Sequence, residues 1–236
     1  MSKCCIRGLG ACMMAGYPYR LEDSFFHLAL EKLRGASSRE ISSSSYTMGG
    51  FPITHVPKHL AARCLAFHPS VVVIQFASSD LIVPLRRKRN RASRGTPPAG
   101  GRVSSGPAKL IHRGRWQVQG LLGDALRLKP VTPPTVYLET MQQIVQTLLD
   151  HHIIPVVMSP FVFGGRRSDR FARECHFSLQ QSLAQQPRAV YVDAYSALAA
   201  HPRHQTLVSD GTHLTLLGHQ IVANALFPHL KSLVEG

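Results

Sequence analysis

Two short stretches, Val71-Val72-Val73-Ile74 and Ile153-Ile154-Pro155-Val156-Val157, are apolar without alternation. A strand wet on one side alternates apolar and polar residues. A continuous run has to be covered on both faces, as central strands of parallel sheets are. Weaker runs at 5–9, 41–46 and 189–192 bring the expected strands to five. Helical spacing lies between them: Leu21, Phe25, Leu28, Ala29 and Leu33; then Val56, Leu60 and Cys64, with Pro57 suited to a first turn. Tyr137, Met141, Ile144, Val145 and Leu148 mark a third helix, 171–183 a fourth, and Leu214, Leu216, Leu217, Ile221, Val222 and Ala225 a fifth. Strands alternating with helices imply right-handed crossovers, so the expected class is α/β: a three-layer αβα sandwich around a central, mostly parallel five-stranded sheet.

At 236 residues with 44% hydrophobic content, the chain can bury one sizeable core, and we expect a single domain over 1–236. No run of about 18 apolar residues is present, so no transmembrane helix is expected. Arg7 interrupts what would be the apolar region of a signal peptide, so that run reads as the first strand and the expected location is cytoplasmic. The five cysteines, Cys4, Cys5, Cys12, Cys64 and Cys175, are odd in number and lack paired CxxC spacing. They suit free thiols in a reducing compartment rather than a disulfide framework or a zinc site, and no metal or cofactor is called for. Cys175-His176 reads as a helix surface with a buried thiol.

The net charge of +14 is unevenly distributed. Ten of the 27 Lys and Arg residues fall within 86–115, which contains no acid; outside it stand 17 basic and 13 acidic residues, a balance of +4. The basicity belongs to one Gly- and Pro-rich insert, expected as a flexible loop or lid with Trp116 at its end. The rest of the chain is nearly neutral, so nucleic acid is not the expected partner. The Arg86-Arg87-Lys88-Arg89 run suits a solvated loop or a patch for an anionic partner such as nucleic acid, lipid or polysaccharide.

Open parallel sheets bind ligands beyond the carboxyl ends of their strands. Near the C-terminus stands Ser209-Asp210-Gly211-Thr212-His213, a carboxylate three residues before a histidine on a short loop. The acid can hold one imidazole nitrogen and leave the other to accept a proton from a nucleophile. Three loops after strands supply partners: Gly10-Ala11-Cys12-Met13, Gly49-Gly50, and Ala77-Ser78-Ser79-Asp80. His219 falls on the following helix and reads as structural, and His151-His152 closes a helix end.

With these four blocks in this order, the chain resembles the SGNH, or GDSL-type, hydrolases, a family of esterases, lipases, thioesterases and carbohydrate-ester deacetylases. The resemblance covers nearly the whole length apart from the basic insert. Asp210-Gly211-Thr212-His213 matches the Asp-x-x-His block in full; Gly50 stands at the glycine of the second block; Ala77-Ser78-Ser79-Asp80 stands where Gly-x-Asn-Asp is usual; and Gly10-Ala11-Cys12-Met13 replaces Gly-Asp-Ser-Leu. The resemblance implies a flavodoxin-like sheet order and a nucleophile at position 12, here a cysteine. It implies His213 as base, Asp210 as its orienting acid, and an oxyanion hole from the Cys12 and Gly50 amides with Ser79 in place of asparagine. A thiolate is chemically competent there, since a neighbouring imidazole activates it. The expected function is hydrolysis of a small acyl ester, carbohydrate or lipid, through a Cys-His-Asp acyl-enzyme. Acyl transfer and a catalytically inactive binding protein stand as alternatives, and an anionic substrate would give the basic insert a part. The oligomeric state stays open.

Overall fold

The computed structural model describes residues 3–77, 79–82, 129–162, 166–209 and 212–236. The basic insert, Trp116 and the Asp210-Gly211 pair lie outside the described residues, as does Ser78.

Five parallel strands form the sheet: β1 (Cys4–Gly10), β2 (Ile41–Thr47), β3 (Val71–Gln75), β4 (Ile154–Met158) and β5 (Val190–Val192), in the order β2-β1-β3-β4-β5. The helices are α1 (Phe25–Ala36), α2 (Val56–Arg63), α3 (Pro134–Asp150), α4 (Arg166–Ala184), α5 (Ala194–Ala199) and α6 (Leu216–Glu235). Every residue of β3 is buried, which is why that strand reads as an unbroken apolar run. β2 is an edge strand of serines, half-buried over most of its length, and its seven residues are held in place by pairing with β1. The carbon skeleton of a serine run has little to bury, so the strand depends on its neighbour's backbone.

Each face of the sheet carries its own core. On one face Leu9, Val72, Ile74 and Val157 pack with Leu60 of α2, Tyr137 and Met141 of α3 and Leu179 of α4. On the other, Ile6, Val71, Val73 and Val156 pack with Phe26 and Leu30 of α1, Leu198 of α5 and Val222 and Leu226 of α6. Helix starts follow ordinary capping rules. The Ser24 hydroxyl accepts from the His27 N–H at 3.1 Å, and the Asp193 carboxylate accepts from the Ser196 N–H at 2.8 Å. Pro134 occupies a first turn, where its missing N–H costs nothing.

The helical spacing read from Leu214 onward begins too early. Leu214 is a bridge residue opposite Val208, and α6 starts at Leu216 behind the Thr215 cap. The six-residue α5 has no counterpart in the sequence reading, because one and a half turns are too few to give a period. The strand order turns back between β1 and β3, so the loops after these two strands diverge and leave a crevice between them.

Candidate active site

Cys12 stands two residues past the end of β1, in a run of tight turns. The Ala15 and Tyr17 N–H groups both donate to the Cys12 carbonyl at 3.1 Å, and the Ala11 N–H donates to the Gln75 carbonyl at 3.1 Å. That last bond ties the turn to the end of β3, on the crevice side. The thiol is half-buried, and its Sγ lies 2.9 Å from Nε2 of His213, 201 residues along the chain.

The His213 loop is held at its base by a two-stranded clasp. Val208 bridges Leu214, the Ser209 N–H donates to the His213 carbonyl at 2.7 Å, and the Thr215 N–H donates to the Leu207 carbonyl at 2.7 Å. Thr215 then caps α6, its hydroxyl accepting from the Gly218 N–H at 3.2 Å. Histidine position is therefore fixed by a helix start and a bridge together. The Tyr17 ring meets the imidazole edge-on, with centroids 4.6 Å apart and planes at 69°. Asp210, expected as the orienting acid, lies outside the described residues.

Gly50 sits at the third position of a turn closed by the Phe51 N–H donating to the Met48 carbonyl at 3.1 Å. Its φ of +76° is the left-handed conformation that position favours in glycine. Added side-chain bulk would meet nothing within 4 Å, so conformation rather than space accounts for the residue. The Met48 N–H donates to the Gly10 carbonyl at 2.8 Å, which brings this turn to the end of β1. Ser79 is half-buried in the turn after β3. Cys12, Gly50 and Ser79 thus follow three adjacent strands at one end of the sheet, as the sequence reading expected.

One residue that the sequence reading quoted without assigning a task is Asp80. Its buried carboxylate accepts from the Ile53 N–H at 2.8 Å and from the Thr132 hydroxyl at 2.9 Å. It ties the loop after β2 and the entry to α3 to the turn that carries Ser79. Burial pushes its carboxyl up to about 6. Only the packed structure exposes this role, since the partners are a backbone amide and a distant hydroxyl. Tyr17 was missed for a similar reason: a ring in a glycine-flanked turn has no periodic signal.

The remaining histidines and cysteines have structural surroundings. His219 is buried on α6, accepts the Phe25 N–H at Nδ1 at 3.1 Å and stacks on the Phe25 ring. Burial pushes it down to about 4. Cys64 and Cys175 are buried thiols, pushed up to about 11 and about 12 by burial. Beside Cys175, His176 packs between tyrosines and hydrogen-bonds the Tyr191 hydroxyl at 2.7 Å. Among the described residues, no three His, Cys, Asp or Glu side chains gather as a metal site, and no helix is long and apolar enough to cross a membrane.

No family model and no curated protein matches the sequence, but many solved structures match the fold. A lipase/acylhydrolase from Enterococcus faecalis superposes with a TM-score of 0.69 at 16% identity, over 98% of this chain and 96% of that one. Axe2, an acetylxylan esterase from Geobacillus stearothermophilus, gives 0.66 at 15% identity, over 96% and 93%. The psychrotrophic esterase EstA from Pseudoalteromonas sp. gives 0.60 at 11% identity, over 98% and 99%. The shared architecture spans nearly the full length of all four chains, while so few identities remain that what is shared is the fold.

Proposed function

For a chain with the fold of the SGNH, or GDSL-type, hydrolases, we propose ester hydrolysis through a thiol acyl-enzyme, with Cys12 as nucleophile, His213 as base and then acid, and Asp210 as the group that orients the imidazole. The observation that carries this reading is the 2.9 Å separation of Cys12 Sγ and His213 Nε2, two groups 201 residues apart that packing brings into hydrogen-bond reach. The ester-cleaving names of the proteins sharing the fold support the reaction class.

In the forward step Nε2 takes the thiol proton as sulfur bonds to the acyl carbon. The carbonyl oxygen then carries the charge of a tetrahedral intermediate, facing the Cys12 and Gly50 amides and the Ser79 hydroxyl. The intermediate collapses by breaking the C–O bond, and Nε2–H gives its proton to the departing alcohol. A water, deprotonated by the same nitrogen, attacks the thioester and releases the acid and the thiol. The substrate is taken to be a small acyl ester, and these steps call for neither a metal nor a cofactor. A thiol nucleophile works best in a reducing compartment, which suits a cytoplasmic site of action. The basic stretch at 86–115 is taken as an insert in the one domain, adding a preference for anionic substrates.

Cys12→Ala is expected to lower turnover of p-nitrophenyl acetate by at least about 10³-fold. Iodoacetamide is expected to alkylate Cys12 well before Cys64 and Cys175, whose thiols burial holds protonated. Peptide mapping of the alkylated protein checks the order. Turnover unchanged in Cys12→Ala would overturn the mechanism, and a wild-type chain that binds esters without cleaving any would favour a binding protein.

A further inference from the structure

Between Cys12 and Tyr17 the chain closes on itself through successive tight turns. The Met14, Ala15 and Gly16 N–H groups donate to the Ala11, Cys12 and Met13 carbonyls, each at 3.1 Å, and the Tyr17 N–H returns to the Cys12 carbonyl, also at 3.1 Å. Gly16 makes the return possible: its φ is +79°, and a Cβ there would run into the Arg20 carbonyl oxygen. The Tyr19 N–H donates to the Gly16 carbonyl at 2.7 Å and fixes the exit of the turn. Tyr17 is therefore bound by its backbone to the residue that carries the thiol.

Its ring reaches the other member of the pair. Tyr17 is 53% exposed and so adds little to the core, yet its ring meets the His213 imidazole at 69° with centroids 4.6 Å apart. Such ring pairs favour separations of about 4.5 to 7 Å, so these two are in close contact. The bridge to Val208 and the Thr215 cap settle where the His213 backbone stands. They do not settle the imidazole plane, because the second side-chain torsion of a histidine is broad. Keeping Nε2 at 2.9 Å from Cys12 Sγ needs a contact on the ring itself.

We propose that Tyr17 is a positioning residue: its ring holds the His213 imidazole in the orientation from which Nε2 meets Cys12 Sγ, and its backbone ties that ring to the thiol's own turn. The role rests on the reading of Cys12 and His213 as nucleophile and base. It is distinct from the role proposed for Asp210, which acts at a ring nitrogen, whereas Tyr17 packs on the ring.

Alkylation of Cys12 by iodoacetamide, followed against pH by peptide mapping, tests the role without any ester. A neighbouring imidazole lowers a thiol below its free value of about 8.5. In Tyr17→Ala the midpoint should move up toward that value, and the rate near pH 7 should fall about three- to tenfold. Tyr17→Phe keeps the ring and should restore the native profile. Leu21→Ala, at an exposed residue between the same turn and α1, should leave the profile unmoved. His213→Ala should give the full upward shift, and adding Tyr17→Ala to it should change nothing more, which separates an effect through the imidazole from a general loosening of the turn. His219, the ionisable group of α6 that interacts with His213, is held neutral by burial and is common to all these chains. With p-nitrophenyl acetate, Tyr17→Ala should lower kcat and leave KM unchanged, since the ring holds the base and not the substrate.

A native alkylation profile in Tyr17→Ala would overturn the role. So would a further shift when Tyr17→Ala is added to His213→Ala, or a shifted profile in Tyr17→Phe, which would assign the effect to the hydroxyl. A raised KM with an unmoved profile would also overturn it and make the ring a wall for substrate. The expected shifts in a chain that cleaves no ester would support the tether while removing the hydrolase reading, so the two fail separately.

Discussion

Ser79, in the turn after β3, stands at the position where the resembled sequence pattern has asparagine. A hydroxyl is shorter and donates once, and loss of one such donor costs about 10²–10³ in rate. On the proposed mechanism Ser79→Asn should therefore raise kcat with p-nitrophenyl acetate, by up to about 10²-fold, while Ser79→Ala, which removes the donor, should lower it by up to about 10²-fold. Steady-state kinetics of the two variants decide this, and a drop in Ser79→Asn would show that the pocket has been rebuilt around the smaller residue. Nearby Gln75 is fully buried with no hydrogen-bond partner for either amide atom among the described residues. The Cys12 and His213 pair could be read from the sequence because Cys12 stands in a short turn after an expected strand and His213 three residues after an acid. Tyr17 and Asp80 could not, because their roles rest on one ring contact and two hydrogen bonds to residues far along the chain.

At the scale of elements, α6 is what presents His213. Gly218 lies in its first turn, directly against the clasp: a Cβ there would meet the Leu207 carbonyl oxygen at 2.8 Å and the Leu214 side chain at 3.0 Å. Since the carbonyl belongs to the backbone that accepts the Thr215 N–H, the helix start itself would have to move. Gly218→Ala is expected to cost about 1–3 kcal/mol and to lower kcat as the imidazole leaves its place above Cys12. Gly35, in the last turns of α1, has nothing within 4 Å of the same added atom. Gly35→Ala should instead stabilise by about 0.5–1 kcal/mol and leave kcat unchanged. Urea unfolding of both variants checks the signs. Equal behaviour would mean that the contact at Gly218 is taken up elsewhere.

Across the whole molecule, two buried titratable groups pull stability in opposite directions with pH. Asp80 holds its proton up to about 6 in the folded chain against 3.8 for the ordinary side chain. Its folded form binds the extra proton between those values, so stability falls as pH rises from about 4 to about 6. His219 stays neutral down to about 4 against an ordinary 6.5, so stability is complete above 6.5 and falls as pH drops toward 4. Each shift corresponds to roughly 3 kcal/mol, and over the shared range the two slopes largely cancel. Asp80→Asn keeps an oxygen for the Ile53 N–H while removing the charge, and should make stability rise more steeply between pH 4 and pH 6. His219→Gln should make it fall over the same range. Denaturant titrations at several pH values read both, and native slopes retained in both variants would contradict the assignment.

Sequence alone settled the class and the layers. Val71-Val72-Val73-Ile74 is unbroken because β3 is covered on both faces, and the spacing from Tyr137 to Leu148 is helical because one face of α3 meets the sheet. Burial imposes its period on the chain, so the period can be read back. It also located the His213 motif, by the spacing of its acid and histidine, and the loops opposite it, which follow strands by short distances. What only the tertiary structure decided is how these parts meet: the 2.9 Å approach of thiol to imidazole, the Asp80 tie between three loops, and the Tyr17 ring on His213. These depend on strand order and on contacts between residues tens to hundreds of positions apart. No local pattern encodes such distances, and only a parallel sheet with every strand ending on the same side brings them together.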